Sequence, residues 1–328
     1  MNRLVRSTVP SALAAAIIAL VCESSANAQT NPSLLIDRWT AAPQWASTYD
    51  EPMFIDGGHI KGSDDDIDLL YYDSHGRVKF DHDNADPGFW LGYRALTMGI
   101  NEDVPELPGD LNDISVAAAF RLGDLSTDWR LSVAAGAGTA NDGHWANTDA
   151  IYGIGTVVAT RELDETSRLH IGLDYNGNHT LWPDAPHPVL TYECRLDRDW
   201  TIKLGSPSTG FRWTGLHPIT VSFDYTVPTN VLANVSYELN KDWKLFGEFG
   251  RTVDGFFRND QGDRRLFYEL NRVTAGVHWI KGKLIDLRLG AGYAFNQRFS
   301  SGFDIRNLDT VASPSDEVMF FLTVQGTF

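Results

Sequence analysis

A two-residue alternation, sustained over unusually long segments, constrains this chain more than any other feature. Within 283–295, Ile285, Leu287, Leu289, Ala291, Tyr293 and Phe295 share one parity; Leu284, Asp286, Arg288, Gly290, Gly292 and Ala294 share the other. Within 168–176, Leu169, Ile171, Leu173 and Tyr175 alternate with Arg168, His170, Gly172, Asp174 and Asn176. Within 219–227, Ile219, Val221, Phe223, Tyr225 and Val227 alternate with Thr220, Ser222, Asp224 and Thr226. Successive side chains of a strand point to opposite faces, so each segment is a strand with an apolar and a polar face. A soluble β-sandwich is the competing reading, but its strands average about five or six residues. The polar parity is also rich in small residues, at Gly136, Gly138, Gly153, Gly155, Gly172, Gly290 and Gly292, which let a sheet curl.

Connections alternate in length. Short ones fall near 123–126, 162–166, 197–198, 240–241 and 281–282. Long ones, rich in Gly, Pro, Asn and Asp, fall near 101–111, 140–147, 177–187, 206–217, 255–264 and 298–315. Transmembrane barrels have short turns on one side and long loops on the other. Three short turns lead into the same phrase, Asp128-Trp129-Arg130-Leu131, Asp199-Trp200-Thr201-Ile202 and Asp242-Trp243-Lys244-Leu245. Each Trp is in phase with its strand's apolar face, so Trp129, Trp200 and Trp243 are expected to form an aromatic girdle at the short-turn rim. The final strand, with Val318, Phe320, Leu322 and Val324 in phase, ends in Phe328 and has the form of a signal read by the barrel assembly machinery.

The strands expected are 88–100, 112–122, 127–139, 148–160, 167–176, 187–197, 199–207, 218–239, 242–254, 265–280, 283–297 and 316–328. The fold class is therefore all-β: a transmembrane antiparallel up-and-down β-barrel of about 12 strands over 88–328. Fourteen is the alternative, since 67–82 could add to the wall. The unbroken apolar phase across Pro228 keeps 218–239 as one strand. Residues 29–87 read as a periplasmic or plug-like segment with Trp39, Trp45, Pro43, Pro52 and an acidic run, Asp64-Asp65-Asp66.

Residues 1–28 read as a signal peptide. Arg3 and Arg6 give a basic start, 12–21 is apolar, and Ala26-Asn27-Ala28 is a small-x-small cleavage site, placing the mature start at Gln29. Lipidation at Cys22 suits the preceding Val21 poorly. After cleavage Cys194 is the one remaining cysteine, which excludes an internal disulfide. The expected location is the cell outer membrane, with outer-membrane lipid and the assembly machinery as partners. Asp plus Glu number 43 against 27 Lys plus Arg, which speaks against nucleic acid as a partner.

From Leu107 onward the chain resembles a family of uncharacterised, porin-like outer-membrane barrels. The resemblance is carried by Leu107-Pro108-Gly109-Asp110-Leu111, the stretch 199–207, and Gly290-Ala291-Gly292-Tyr293-Ala294-Phe295. It implies location and fold and brings no activity, cofactor or site residue with it.

No nucleophile elbow, phosphate loop, dinucleotide fingerprint or His-Glu-x-x-His occurs. His170 and His278 fall on the polar parity without a serine motif beside them, so lumen histidines are favoured over catalysis. His75, His82, Asp81 and Asp83 could meet a metal, but solvated polar side chains explain them as well. No cofactor or metal is expected, and no enzyme. The polar parity supplies the candidate pore lining: Arg121, Arg130, Asp174, Glu193, Arg195, Lys203, Glu238, Glu248, Arg272, Asp286 and Arg288. A charge on the lipid face costs about 2–4 kcal/mol at mid-membrane, so these belong in a wet or paired lumen. Passive passage of small solutes is the leading function, a non-conducting structural or surface-interaction barrel the second, and an outer-membrane hydrolase the third.

Overall fold

The computed structural model describes residues 32–37, 39, 45–63, 65–81, 87–101, 104, 106–126, 128–259, 261–282 and 284–328. The signal peptide read over 1–28, the start at Gln29, Cys22, and His82 with Asp83 lie outside the described residues. Among the described residues a short helix, α1 (Ser33–Ile36), precedes the strands. These are β1 (Ala46–His59), β2 (Asp66–Lys79), β3 (Phe89–Asn101), β4 (Asp110–Ser126), β5 (Trp129–Asn141), β6 (Ile151–Glu162), β7 (Ser167–Asn176), β8 (His187–Arg195) and β9 (Trp200–Ser206). There follow β10 (Ser208–Leu216), β11 (Ile219–Thr226), β12 (Asn230–Asn240), β13 (Trp243–Phe257), β14 (Arg265–Lys281), β15 (Ile285–Gly302), β16 (Asp309–Ala312) and β17 (Glu317–Thr327).

Successive strands pair antiparallel as far as β15, β15 pairs with β17, and β1 pairs with both β2 and β17, so the sheet has no free edge. The four-residue β16 pairs only with the end of β15, leaving 16 strands in the closed wall. Closure satisfies every strand's backbone without water, which is what a membrane demands of a sheet. The outward parity is apolar and exposed around the wall, with Val116, Leu173, Leu190, Leu204, Val235, Val273, Leu289 and Phe320 among it.

The wall therefore has 16 strands, not 12 or 14. Four differences account for this. β1 occupies 46–59 of the expected non-strand lead segment, and β2 (66–79) is the strand that the alternative allowed at 67–82. Inward Met53, Ile55, Ile67, Leu69 and Tyr71 are buried, whereas outward β1 carries Thr48, Asp50 and Pro52. The contrast between the faces is lost there, since Phe54 and Leu70 point outward while Glu51, His75 and Arg77 are buried inward, and Asp50 is held by the Tyr72 hydroxyl at 2.7 Å. β10 lies inside the supposed loop 206–217, where Pro207, Gly210 and Gly215 mask an outward Phe211 and Trp213. Pro228 lies between β11 and β12, dividing 218–239 into a hairpin. The loop-end connections there are a single residue, Pro207, and the three residues 227–229, so long and short connections do not alternate strictly.

A second correction concerns parity. In β6 the inward residues are Tyr152, Ile154, Thr156 and Val158, all buried, while Gly153 and Gly155 do not face inward. The lumen is also far from uniformly polar. Inward residues of β1–β4 and β13–β17, including Leu96, Met98, Phe256, Leu266, Phe299 and Met319, form one continuous buried apolar cluster toward the loop end.

Candidate functional site: a lumen closed on one side

Buried charges persist only when paired, and two ion-paired clusters tie opposite walls together. Arg94 on β3 places Nη2 2.9 Å from Asp254 on β13 and Nη1 3.0 Å from Asp113 on β4. The Tyr71 hydroxyl donates to Asp254 at 3.2 Å and that of Tyr152 to Asp113 at 2.5 Å. Arg272 on β14 meets Glu51 of β1 at 2.7 Å and Glu248 of β13 at 3.4 Å; Arg288 on β15 meets Glu248 at 2.9 Å. Together with the apolar cluster, these fill the sector bounded by β1–β4 and β13–β17.

The N-terminal segment fills a second sector. α1 lies against β5 and β6, and Leu34 packs with Trp90, Ala117, Ala119, Ala134 and Ile154. Ile36 packs with Val158 and Val189. Small inward alanines leave room for a helix beside the wall. Each fully buried Leu or Ile contributes roughly 1.5–3 kcal/mol. Polar contacts fix the segment: the Trp90 indole donates to Leu34 O at 2.9 Å and Arg77 to Asp37 O at 2.7 Å. The Arg77 guanidinium also stacks 4.3 Å over Trp39.

The loop-end mouth is pinched across its waist. Phe257 at the end of β13 bridges to Asn141 at the end of β5. Arg265, fully buried on β14, donates to Asn178 Oδ1 and His179 O from one loop and to Phe303 O from another. Ile305 N then donates to Thr180 O at 3.0 Å, joining the β7–β8 connection to the segment after β15.

What remains accessible is eccentric. Along β9–β12 the inward residues Thr201, Lys203, Arg212, Thr220, Ser222, Asp224, Leu232 and Asn234 are half-buried, in contrast to the buried inward residues of β6. Strands β8–β11 are also the shortest of the wall, at 9, 7, 9 and 8 residues, and two of their loop-end connections are minimal. The rim is lowest where the lumen is least filled.

The residues assigned by alternation divide between these sectors. Glu248, Arg272 and Arg288 lie in the paired cluster on the closed side. Asp174 is buried, accepting from Thr156 at 2.6 Å and lying 2.9 Å from His179 Nε2. Glu193 lies 3.8 Å from Lys203 on the open side. Arg130 meets Glu162, Arg121 lies 3.2 Å from Asp124, and Asp286 pairs with His278. Arg195 is exposed at the turn end of β8, and Glu238 on β12 is paired in register with Lys244 of β13. Alternation missed Asp37, Asp254 and Glu51, because the first and last lie outside the expected barrel and Asp254 is the last residue of the expected strand 242–254, which runs on to Phe257.

At the short-turn rim Trp129, Trp200 and Trp243 begin β5, β9 and β13. Trp200 has Trp213 beside it at 6.0 Å and Trp243 has Trp279 at 6.3 Å, two indoles the repeat did not contain. The repeat has a local cause: Asp197 and Asn240 each accept from two backbone N–H groups, those of Asp199 and Trp200, and of Asp242 and Trp243. Phe328 O accepts from Ala46 N at 3.1 Å, and its ring lies 6.4 Å from Trp45.

His170 has the Thr160 hydroxyl 2.9 Å from Nδ1 and Glu193 3.9 Å from Nε2, but it is fully buried. His75 stacks on Tyr49 at 4.6 Å. Among the described residues no three His, Cys, Asp or Glu side chains gather to hold a metal ion.

The fold and its apolar outer belt define a closed antiparallel β-barrel of the membrane-spanning kind. No family model matches the chain, and no curated protein matches it. The solved structures similar to it include outer-membrane channels and porins. An outer membrane channel from Pseudomonas putida F1 is 14% identical, with TM-score 0.34, covering 88% of this chain and 96% of that one. The Pseudomonas putida toluene transporter TodX is 9% identical, with TM-score 0.37, covering 93% and 95%. The KdgM porin is 9% identical, with TM-score 0.28, covering 86% and 99%. At these values a neighbour's solute stays with that neighbour.

Proposed function

We propose that the chain is an outer-membrane channel for small polar solutes, whose path follows the inner face of β9–β12. The observation carrying this is the contrast within one lumen: half-exposed polar side chains along β9–β12 against ion pairs, apolar packing and α1 elsewhere. The signal peptide read over 1–28, the apolar outer belt and Phe328 support the outer membrane as location, its lipid as solvent, and the barrel assembly machinery as partner. The assigned inward charges line this path or brace its far wall. The test is swelling of liposomes holding the refolded protein. Asn234→Trp, inward on β12, should slow solute entry, and Val235→Trp, outward on the same strand, should not.

The second reading, a non-conducting structural barrel, draws on α1 lodged in the lumen. Wild-type liposomes that never swell would favour it. The third, a hydrolase, has against it the complete burial of His170.

A further inference from the structure

The bridge across the loop-end mouth carries a tryptophan in a strained backbone. Trp182 lies in the 177–186 connection, which the Ile305 N–H joins to the segment after β15 through Thr180 O. In the closed wall β8 and β15 enclose the arc β9–β14, which contains the open path along β9–β12, so this bridge borders the path's entrance. Trp182 has φ +47°, a left-handed conformation that a bulky residue rarely takes. Its surroundings hold it there. Its N–H donates to Asp304 at 3.4 Å, and its carbonyl lies 3.3 Å from His187 Nε2. Asp304 is itself buried and also accepts from the Arg306 N–H at 3.0 Å and from Arg306 Nε at 2.8 Å. The Arg306 guanidinium thereby lies over the indole, 5.5 Å from its centroid, and His187 meets the ring edge-on at 6.3 Å.

Yet Trp182 remains 50% exposed. Its strain is therefore not explained by burial of the indole in a core. The ring is a fixed apolar plate, backed by a guanidinium and open to solvent at the entrance. Such a plate suits a ligand with one flat apolar face and a polar rim. The indole face is electron-rich, so the axial C–H groups of a pyranose ring stack on it. The hydroxyls around that ring then reach Arg306 and His187, which exchange hydrogen bonds with them in place of water. An open-chain polyol of the same size offers no such face. We propose that Trp182 is the stacking platform of an entrance subsite for pyranose sugars, which it takes up before they pass along β9–β12. This rests on the channel reading given above.

The test measures entry of dilute glucose and dilute sorbitol, two uncharged probes of nearly equal size, into liposomes holding the refolded full-length barrel. Wild type should admit glucose several-fold faster than sorbitol, and glucose entry should saturate as its concentration rises. Trp182→Ala should bring glucose down to the sorbitol rate and leave sorbitol unchanged, which a merely loosened mouth would not do. Trp182→Tyr should keep part of the preference. Trp145→Ala removes an exposed indole from another loop and should keep all of it. Heat-modified gel mobility confirms that each variant is folded. Permeable barrels that admit both probes alike, or whose preference survives Trp182→Ala, overturn this proposal alone. Barrels that pass neither probe, wild type and variants alike, overturn the channel reading and this proposal with it.

Discussion

Arg94 on β3 and Asp254 on β13 meet at 2.9 Å through the lumen although their strands are not neighbours in the wall. The pair holds the barrel's cross-section narrow at that level. It also explains why a wall of this many strands need not enclose a wide aqueous pore. Both partners are largely buried, and Arg94 also holds Asp113, so removing the arginine leaves two buried carboxylates without a cation.

Arg94→Met should therefore destabilise the folded barrel by about 3 kcal/mol, because it leaves the buried carboxylates of Asp113 and Asp254 without their cation. Adding Asp254→Leu to Arg94→Met should recover part of that loss, because one of the two stranded carboxylates is then gone. Urea titration of the folded, heat-modifiable band measures both. A double variant no better than the single one would show that the charge pair is not the source of the cost.

The docked N-terminal segment should respond to acid. Burial, the largest influence on Asp37, raises its pKa above the ordinary 3.8, and Lys203 and Arg77 oppose this only in part. The docked state then binds the proton more tightly than the free segment does. Docking strengthens as pH falls through the interval between the raised pKa and 3.8, and weakens as pH rises through it. Solute entry should accordingly be slower at the acid end of that interval. Asp37→Asn should be slow throughout and lose the dependence, which a swelling series against pH reads directly.

The girdle predicts a spectroscopic depth. Trp200 and Trp243 each have a neighbouring indole on the adjacent strand at the same register. Single-tryptophan variants retaining Trp129, Trp200 or Trp243 should be quenched alike by interfacial lipid labels and weakly by mid-membrane ones. Unlike depths for the three would show that the Asp-Trp turns do not share a rim.

Most of the wall was legible because lipid outside and water inside impose opposite demands on alternate residues. That held for β7, β11, β15 and β17, whose outward residues were read correctly. It failed wherever the lumen is dry. Ile154 and Val158 point inward to meet α1, so Gly153 and Gly155 were placed on the wrong face. Met53, Ile55, Ile67 and Leu69 point inward into the apolar cluster, so β1 and β2 lost the contrast that marks a strand. Tertiary filling of the lumen is a long-range property, and a two-residue period does not carry it. Arg265 shows the same limit: its partners Asn178 and Phe303 are remote in sequence and share no local pattern with it.

That arginine gives the last prediction. Arg265 is buried, and among the described residues no carboxylate is a hydrogen-bond partner; its donors go to Asn178 Oδ1 and to the carbonyls of His179 and Phe303. It therefore fixes two loops by geometry rather than by charge neutralisation. A guanidinium presents a planar fork that an ammonium cannot copy, so Lys is a poor replacement here. Arg265→Lys should keep the positive charge yet lose part of the fork, and Arg265→Met should lose all of it. In both, the 177–186 connection should loosen from 303–308, since the Ile305–Thr180 bond, the Trp182 N–H to Asp304 and the Arg306 contact over Trp182 are left to hold it. Limited proteolysis of intact liposomes should then cut within 177–186 faster in Arg265→Met than in Arg265→Lys, and slowest in wild type. The wall itself should persist, because β14 keeps its long pairings with β13 and β15. Equal cutting rates in all three would mean that the mouth is held shut by something other than this latch.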